Sequence, residues 1–187
     1  TPATWVAAAL CLGFVTTATV VTAGQEQENT PLIIAAKENA NGQLQALVKE
    51  GSAINDSQAD GTTALHWAAY NDNILAADLL IRAGADVDSA NDLGATPLWI
   101  ASQNGSDAMV KTLLEGGANP NVSLLSGETP LMVASRAGAN EVVKRLLAEG
   151  ADTAATATRG QTALMWAVAE HHDDVADVLL DHGADIH

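Results

Sequence analysis

The chain has 187 residues, with 23 acidic side chains against 8 basic ones and a formal net charge of −15. That balance excludes a nucleic-acid binder, which needs clustered Lys and Arg to neutralise phosphates. A single cysteine excludes an intramolecular disulfide framework and a zinc site built on several thiolates. The apolar fraction is 48% but the aromatic fraction only 3%, so disorder is disfavoured and any core must be aliphatic and small-residue in character.

Residues 1–25 carry no charged side chain, and the first is Glu26. Within them, residues 5–15 form an apolar run that is short for a bilayer span, which needs roughly 20 apolar residues. Small residues at Val21-Thr22-Ala23 precede Gly24. A run of this length followed by small residues reads as a signal peptide over 1–24, with an uncleaved anchor or a buried helix as the alternatives. The basic n-region is missing and the chain opens on Thr1, so this reading takes a few residues to precede it. Cys11 follows Leu10, which is not the small residue a lipid-acceptor cysteine usually follows. Without the leader the remainder has no cysteine and suits an oxidising compartment. The expectation is an exported protein, periplasmic or secreted, most simply bacterial.

Beyond the leader the chain repeats itself. Gly61, Gly94, Gly127 and Gly160 are each 33 residues apart, and Thr63, Thr96, Thr129 and Thr162 keep the same step. So do Leu65, Leu98, Leu131, Leu164 and Ala68, Ala101, Ala134, Ala167, as does a second glycine set, Gly84, Gly117, Gly150 and Gly183. Thr30, Leu32, Ala35 and Gly51 extend the register backward. The predicted units are 28–60, 61–93, 94–126, 127–159 and 160–187, within a repeat domain over 25–187.

Each unit reads as two short helices. A threonine followed by proline, as at Thr96-Pro97 and Thr129-Pro130, is an N-cap followed by a residue already set for the first helical position. Leu131, Ala134 and Ala137 fall three apart on one predicted helix face, and Gly138 breaks it. Residues 141–148 form a second amphipathic run with Val142, Val143, Leu146 and Leu147 together, and Gly150 fits the position just past its end. Two short helices cannot bury their apolar faces alone, so the units must stack. Alanine at the repeated positions lets helices approach closely, which compensates for the missing aromatics.

The ends of the array differ. Gln43 and Gln45 with Lys37, Glu38 and Asn39 predict a polar cap in the first unit. Val175, Val178, Leu179 and Leu180 predict an uncovered apolar outer face in the fifth, and hence a chain that continues past His187.

These residues resemble the ankyrin repeat family. The units open Thr30-Pro31-Leu32, Thr63-Ala64-Leu65-His66, Thr96-Pro97-Leu98, Thr129-Pro130-Leu131 and Thr162-Ala163-Leu164, and their second helices end in Gly84-Ala85-Asp86, Gly117-Ala118-Asn119 and Gly183-Ala184-Asp185. The resemblance implies an all-α solenoid of about five helix-turn-helix units joined by β-hairpin-like loops. The motif histidine survives only as His66, with Ile33, Trp99, Met132 and Met165 in its place elsewhere, so its bond to a neighbouring unit is in question at those four. The resemblance also implies a protein-binding concave surface made of the hairpin tips and the first helices. On that surface the candidate residues are Tyr70, Asn71, Asn91, Asp92, Leu93, Gln103, Asn104, Leu124, Leu125, Arg136 and Arg159. Leu124-Leu125 is the one apolar pair on a tip.

No catalytic constellation emerges: there is no phosphate loop, no nucleophile elbow and no Cys-His pair. Trp67 and Trp166 share a register with Ile34, Ile100 and Val133 and read as core, while Trp99 reads equally as core or surface. His171, His172 and Asp174 could ligate a divalent metal, but they fall in a turn where polar residues and helix-starting acids are expected anyway. His171 stands where other units have Gly105 and Gly138. Asn55, Asn104 and Asn121 each open an Asn-x-Ser triplet, of which the latter two sit at repeat turn positions. The expected function is a monomeric, non-catalytic protein-interaction module, without cofactor, nucleic acid or membrane contact beyond the leader. Its charge favours a basic or mixed-charge partner. The alternatives are the docking arm of an enzyme whose catalytic domain lies beyond His187, and a metal-responsive module in unit five.

Overall fold

The computed structural model describes residues 29–185. The predicted signal peptide, Cys11 and the His187 end therefore lie outside the described residues. Ten helices are found among the described residues: α1 Pro31–Lys37, α2 Asn41–Lys49, α3 Ala64–Tyr70, α4 Ile74–Arg82, α5 Pro97–Gln103, α6 Asp107–Glu115, α7 Pro130–Arg136, α8 Asn140–Ala148, α9 Ala163–Ala169 and α10 Asp173–Asp181. They pair as two per unit, a seven-residue helix followed by a nine-residue one. Helices this short are marginal alone and owe their stability to packing. The first helices stack in one layer, α1 on α3 through α7 on α9, and the second helices stack in another.

The threonines act as the repeat predicts. The hydroxyls of Thr63, Thr96, Thr129 and Thr162 accept from the N–H groups of His66, Trp99, Met132 and Met165. Thr30 is the exception: its hydroxyl caps nothing and lies buried without a partner. The second helices close on Gly51, Gly84, Gly117, Gly150 and Gly183, all at positive φ.

The core is the aliphatic ladder expected. Leu65, Leu98, Leu131 and Leu164 are buried beside Ala68, Ala101, Ala134 and Ala167, and Leu80, Leu113, Leu146 and Leu179 line the second layer. Each such leucine contributes ~1.5–3 kcal/mol by burial. Ala137 departs from the predicted face: α7 ends at Arg136, so Ala137 is its C-cap and is exposed. Unit one presents Gln43 and Gln45 to solvent while burying Leu44 between them.

The outer face of unit five also departs from expectation. Val175 and Leu179 are fully buried against the rest of the array, and Val178 is half-buried. Leu180, at 44% exposure, is open as predicted, and beside it Met165 at 50% and Val168 at 58% are open without having been predicted. Met165 and Val168 occupy registers that inner units bury, as His66, Met132, Ser102 and Ser135 show. The helix that follows each inner unit covers those registers, and none follows α9 and α10 among the described residues.

Candidate protein-interaction surface

The loops between units project from one side and stack on each other through main-chain bonds. Asp92 N–H donates to the Asp60 carbonyl at 2.8 Å, Leu125 N–H to Leu93 at 3.0 Å and Thr158 N–H to Ser126 at 2.8 Å. Only one antiparallel bridge, Ser57 with Thr63, is found among the described residues, so the tips are hairpin-like turns without strands. Asn91 is spent inside its tip: its side-chain oxygen accepts from the N–H groups of Leu93 and Ala95, both at 3.0 Å. That arrangement leaves Asp92 and Leu93 exposed. The predicted apolar pair is split. Leu125 is 82% exposed, whereas Leu124, whose N–H and carbonyl close the turn onto Glu128 and Gly127, is half-buried.

Beside the tips, the first helices contribute aromatic and charged groups. Trp67 is only half-buried, contrary to the core reading, because its register faces this side as well as the core. Its indole N–H donates to Gln58 Oε1 at 3.0 Å, and its ring meets Tyr70 edge-on at a centroid distance of 5.7 Å. Lys37 Nζ lies 4.8 Å from the indole centroid. Tyr70 itself is 63% exposed. A hollow of about 340 Å³ is lined by Asp60, Thr62, His66, Trp67, Tyr70 and Ile100. The Thr62 N–H, bonded to Asp60 Oδ1 at 3.0 Å, holds that carboxyl below its usual range.

Trp166 repeats this geometry with other charges. It too is half-buried, and the Arg136 guanidinium lies 5.1 Å from its ring while bonding Glu128 at 3.2 Å. Arg159, Glu128 and Gln161 line a hollow of about 280 Å³ beside it. Gln103 is exposed between these two regions.

Asn71 and Asn104, expected to face a partner, are committed to the scaffold. Asn71 Nδ2 donates to the carbonyls of Ala36 and Lys37, and Asn104 Nδ2 to those of Ala69 and Tyr70, capping the last turn of the preceding first helix. The other two Asn-x-Ser asparagines are also engaged, Asn55 Nδ2 on Gly84 and Asn121 Nδ2 on Gly150. The metal candidates are not brought together. His172 Nε2 bonds the Arg136 carbonyl at 3.1 Å, Asp174 accepts from Asn140, and His171 is exposed in a turn at φ 60. Among the described residues no group of three or more His, Cys, Asp or Glu side chains could hold a metal ion.

His66 makes the inter-unit bond that its motif implies: Nε2 reaches the Ala95 carbonyl at 2.9 Å, and Nδ1 faces Thr63 N at 3.1 Å. Burial pushes the ring below its ordinary 6.5, against the opposing pulls of Ala95 and Asp60. Trp99, at the same register, has a buried indole N–H without a partner. A further tie, absent from the sequence expectations, is the two-pronged pair of Arg145 with Asp107, at 2.6 and 2.8 Å. Its hydrogen bonds hold the Asp107 carboxyl below its usual range and raise Arg145. A separation of 38 residues gives no local sign of such a pair. No helix among the described residues is long and apolar enough to cross a membrane.

Comparison with known proteins agrees with the repeat. The family described as "Ankyrin repeats (3 copies)" matches residues 7–91, 32–123 and 98–187. Palmitoyltransferase AKR1 of Yarrowia lipolytica (strain CLIB 122 / E 150) is 40% identical over 60 residues, which is 32% of this chain and 8% of that protein. The similarity thus spans less than a tenth of that relative's length. With its period, its stacked helix pairs and a match covering nearly the whole chain, the protein belongs to the ankyrin repeat family.

Proposed function

We propose that the chain is a non-catalytic protein-interaction module, an exported ankyrin-repeat scaffold that engages a basic or mixed-charge protein through its tip and first-helix side. Membership of the family implies protein binding. The observation that carries the choice of face is its combination of exposed apolar groups at Leu93, Leu125 and Tyr70 with two tryptophan-lined hollows. Aromatic and apolar anchors inside a polar rim are the usual make-up of a protein interface, and the net charge of −15 steers basic surfaces toward it. A photo-crosslinking residue at Leu125 or Tyr70 should capture the partner. The same residue at Leu75, exposed on α4 away from the tips, should not. Equal capture from Leu75 overturns the assignment.

A second reading makes the repeats the docking arm of a larger enzyme, and the likeness to a palmitoyltransferase favours it. Because that likeness covers 8% of the relative, it supports a shared repeat more than a shared activity.

A further inference from the structure

We propose that the hollow between the second and third units is a pocket for a cationic side chain, Lys or Arg, carried on an extended segment of the protein partner. The inference deepens the reading above and rests on it.

The pocket has the chemistry of a cation site. Trp67 and Tyr70 meet at 82° and form two walls of a corner. Ring faces carry negative quadrupole density and attract ammonium and guanidinium groups. The indole N–H is already satisfied by Gln58, which fixes the ring's orientation. Ile100 supplies an apolar flank for the methylenes of a long cationic side chain, whose charged head stays at the rim.

The charge at that rim has the complementary sign. Asp60 lines the hollow with one carboxylate oxygen held by Thr62. Asp92, whose N–H bonds the Asp60 carbonyl, is a second acidic residue on the adjoining tip. His66, also in the lining, is kept neutral by burial and adds no opposing charge. The nearby cation is Lys37, which lies over the indole but does not line the hollow. Its position shows that this ring accepts an ammonium from the side of unit one, leaving the unit-three side open. The Trp166 hollow is an internal contrast: Arg159 is part of its lining, so it already holds a cation of its own, with Arg136 over the ring as Lys37 is over Trp67.

The test uses the full chain and short Gly/Ser peptides bearing one central lysine, arginine, norleucine or glutamate, followed through the Trp67 indole resonance. Lysine and arginine peptides should shift that resonance saturably, more weakly at high salt, while norleucine and glutamate peptides should not. Tyr70→Ala and Asp60→Asn should each weaken lysine-peptide binding about fivefold. Lys37→Gln should tighten it, and Trp166→Phe should leave it unchanged. Both weakening variants should fold, since Tyr70 is exposed and an Asn at position 60 still accepts from Thr62. Norleucine binding as well as lysine, or binding indifferent to both Tyr70→Ala and Asp60→Asn, overturns the proposal. If partner crosslinking at Leu125 persists under either result, only this pocket assignment falls. If crosslinking at Leu125 and Tyr70 is itself lost to Leu75, the broader reading falls with it.

Discussion

His66 accepts from the Thr63 N–H only as a neutral ring, while its Nε2–H bond to the Ala95 carbonyl of the next unit survives in either form. The Thr63 N–H can only donate, so Nδ1 accepts and the ring proton sits on Nε2, where it bridges to the Ala95 carbonyl. Protonation would set a second ring proton against the Thr63 N–H, in a site that already penalises charge by burial. As pH falls, the unfolded chain therefore takes up this proton first. The histidine's contribution is whole above pH 6.5 and drains away as pH falls from there through the lowered folded value. His66→Gln keeps an acceptor for Thr63 but loses the reach to Ala95, a cost of ~1–2 kcal/mol at pH 7.5. Urea unfolding at pH 7.5 and pH 5 should show that cost shrinking at the lower pH. An unchanged difference would contradict the account, and carboxylates common to both proteins cancel in the comparison. His171 gives an independent residue-level test. Its φ of 60 is one that Gly105 and Gly138 adopt freely in neighbouring units. His171→Gly should raise stability by ~0.5–1 kcal/mol, the relief of left-handed strain less the added freedom of the unfolded chain. Thermal melting checks this, and a lowered midpoint would count against it.

At the scale of the element, the loops decide how closely units approach. Gly61, Gly94 and Gly127 all have positive φ, and a Cβ on each would lie 3.0–3.1 Å from main-chain atoms of the next tip. Gly160 has the same φ sign, at 74, but nothing within 4 Å. Alanine at position 160 therefore meets only the dihedral penalty of ~1–2 kcal/mol. Alanine at position 94 must also push the Leu124–Leu125 backbone away and should cost at least ~1 kcal/mol more. Equal losses in the two variants would show that tip packing contributes nothing. The contrast also shows what was legible in the sequence. A strict glycine period announced the turns, and the threonine and leucine periods announced the caps and the core, because those requirements recur at the same position of every unit. The period could not say which glycines also serve a neighbour. Nor could it show that Asn71 and Asn104 bond backward to carbonyls 34 or 35 residues earlier, or that Leu124 turns in while Leu125 turns out. Trp67 was misread for the same reason, since its register borders both core and groove.

Over the whole molecule, stability is close to a sum of units and the interfaces between them, so a unit covered on one side has less of it. Inner units are held by helix stacking on both sides, by His66 to Ala95 and by Arg145 to Asp107, the last worth at most ~1 kcal/mol at its exposure. The pair α9 and α10 meets neighbours on one side, with Met165, Val168 and Leu180 open on the other. In a chain of these 187 residues alone, that pair should open more readily than the inner units. Amide exchange in α10 should be faster than in α6, although both are nine-residue helices with three buried apolar residues. The same asymmetry predicts how two equivalent truncations differ. Leu113 and Leu179 are both fully buried in the same register. Leu113→Ala removes contacts in the middle of the stack and should lower the single cooperative transition by ~2–5 kcal/mol. Leu179→Ala should instead release α9 and α10 ahead of the rest, giving a smaller loss in the main transition and exchange in α10 approaching that of an unfolded chain. If both truncations lowered one common transition by the same amount, the five units would unfold as a single block and the nearest-neighbour description would fail.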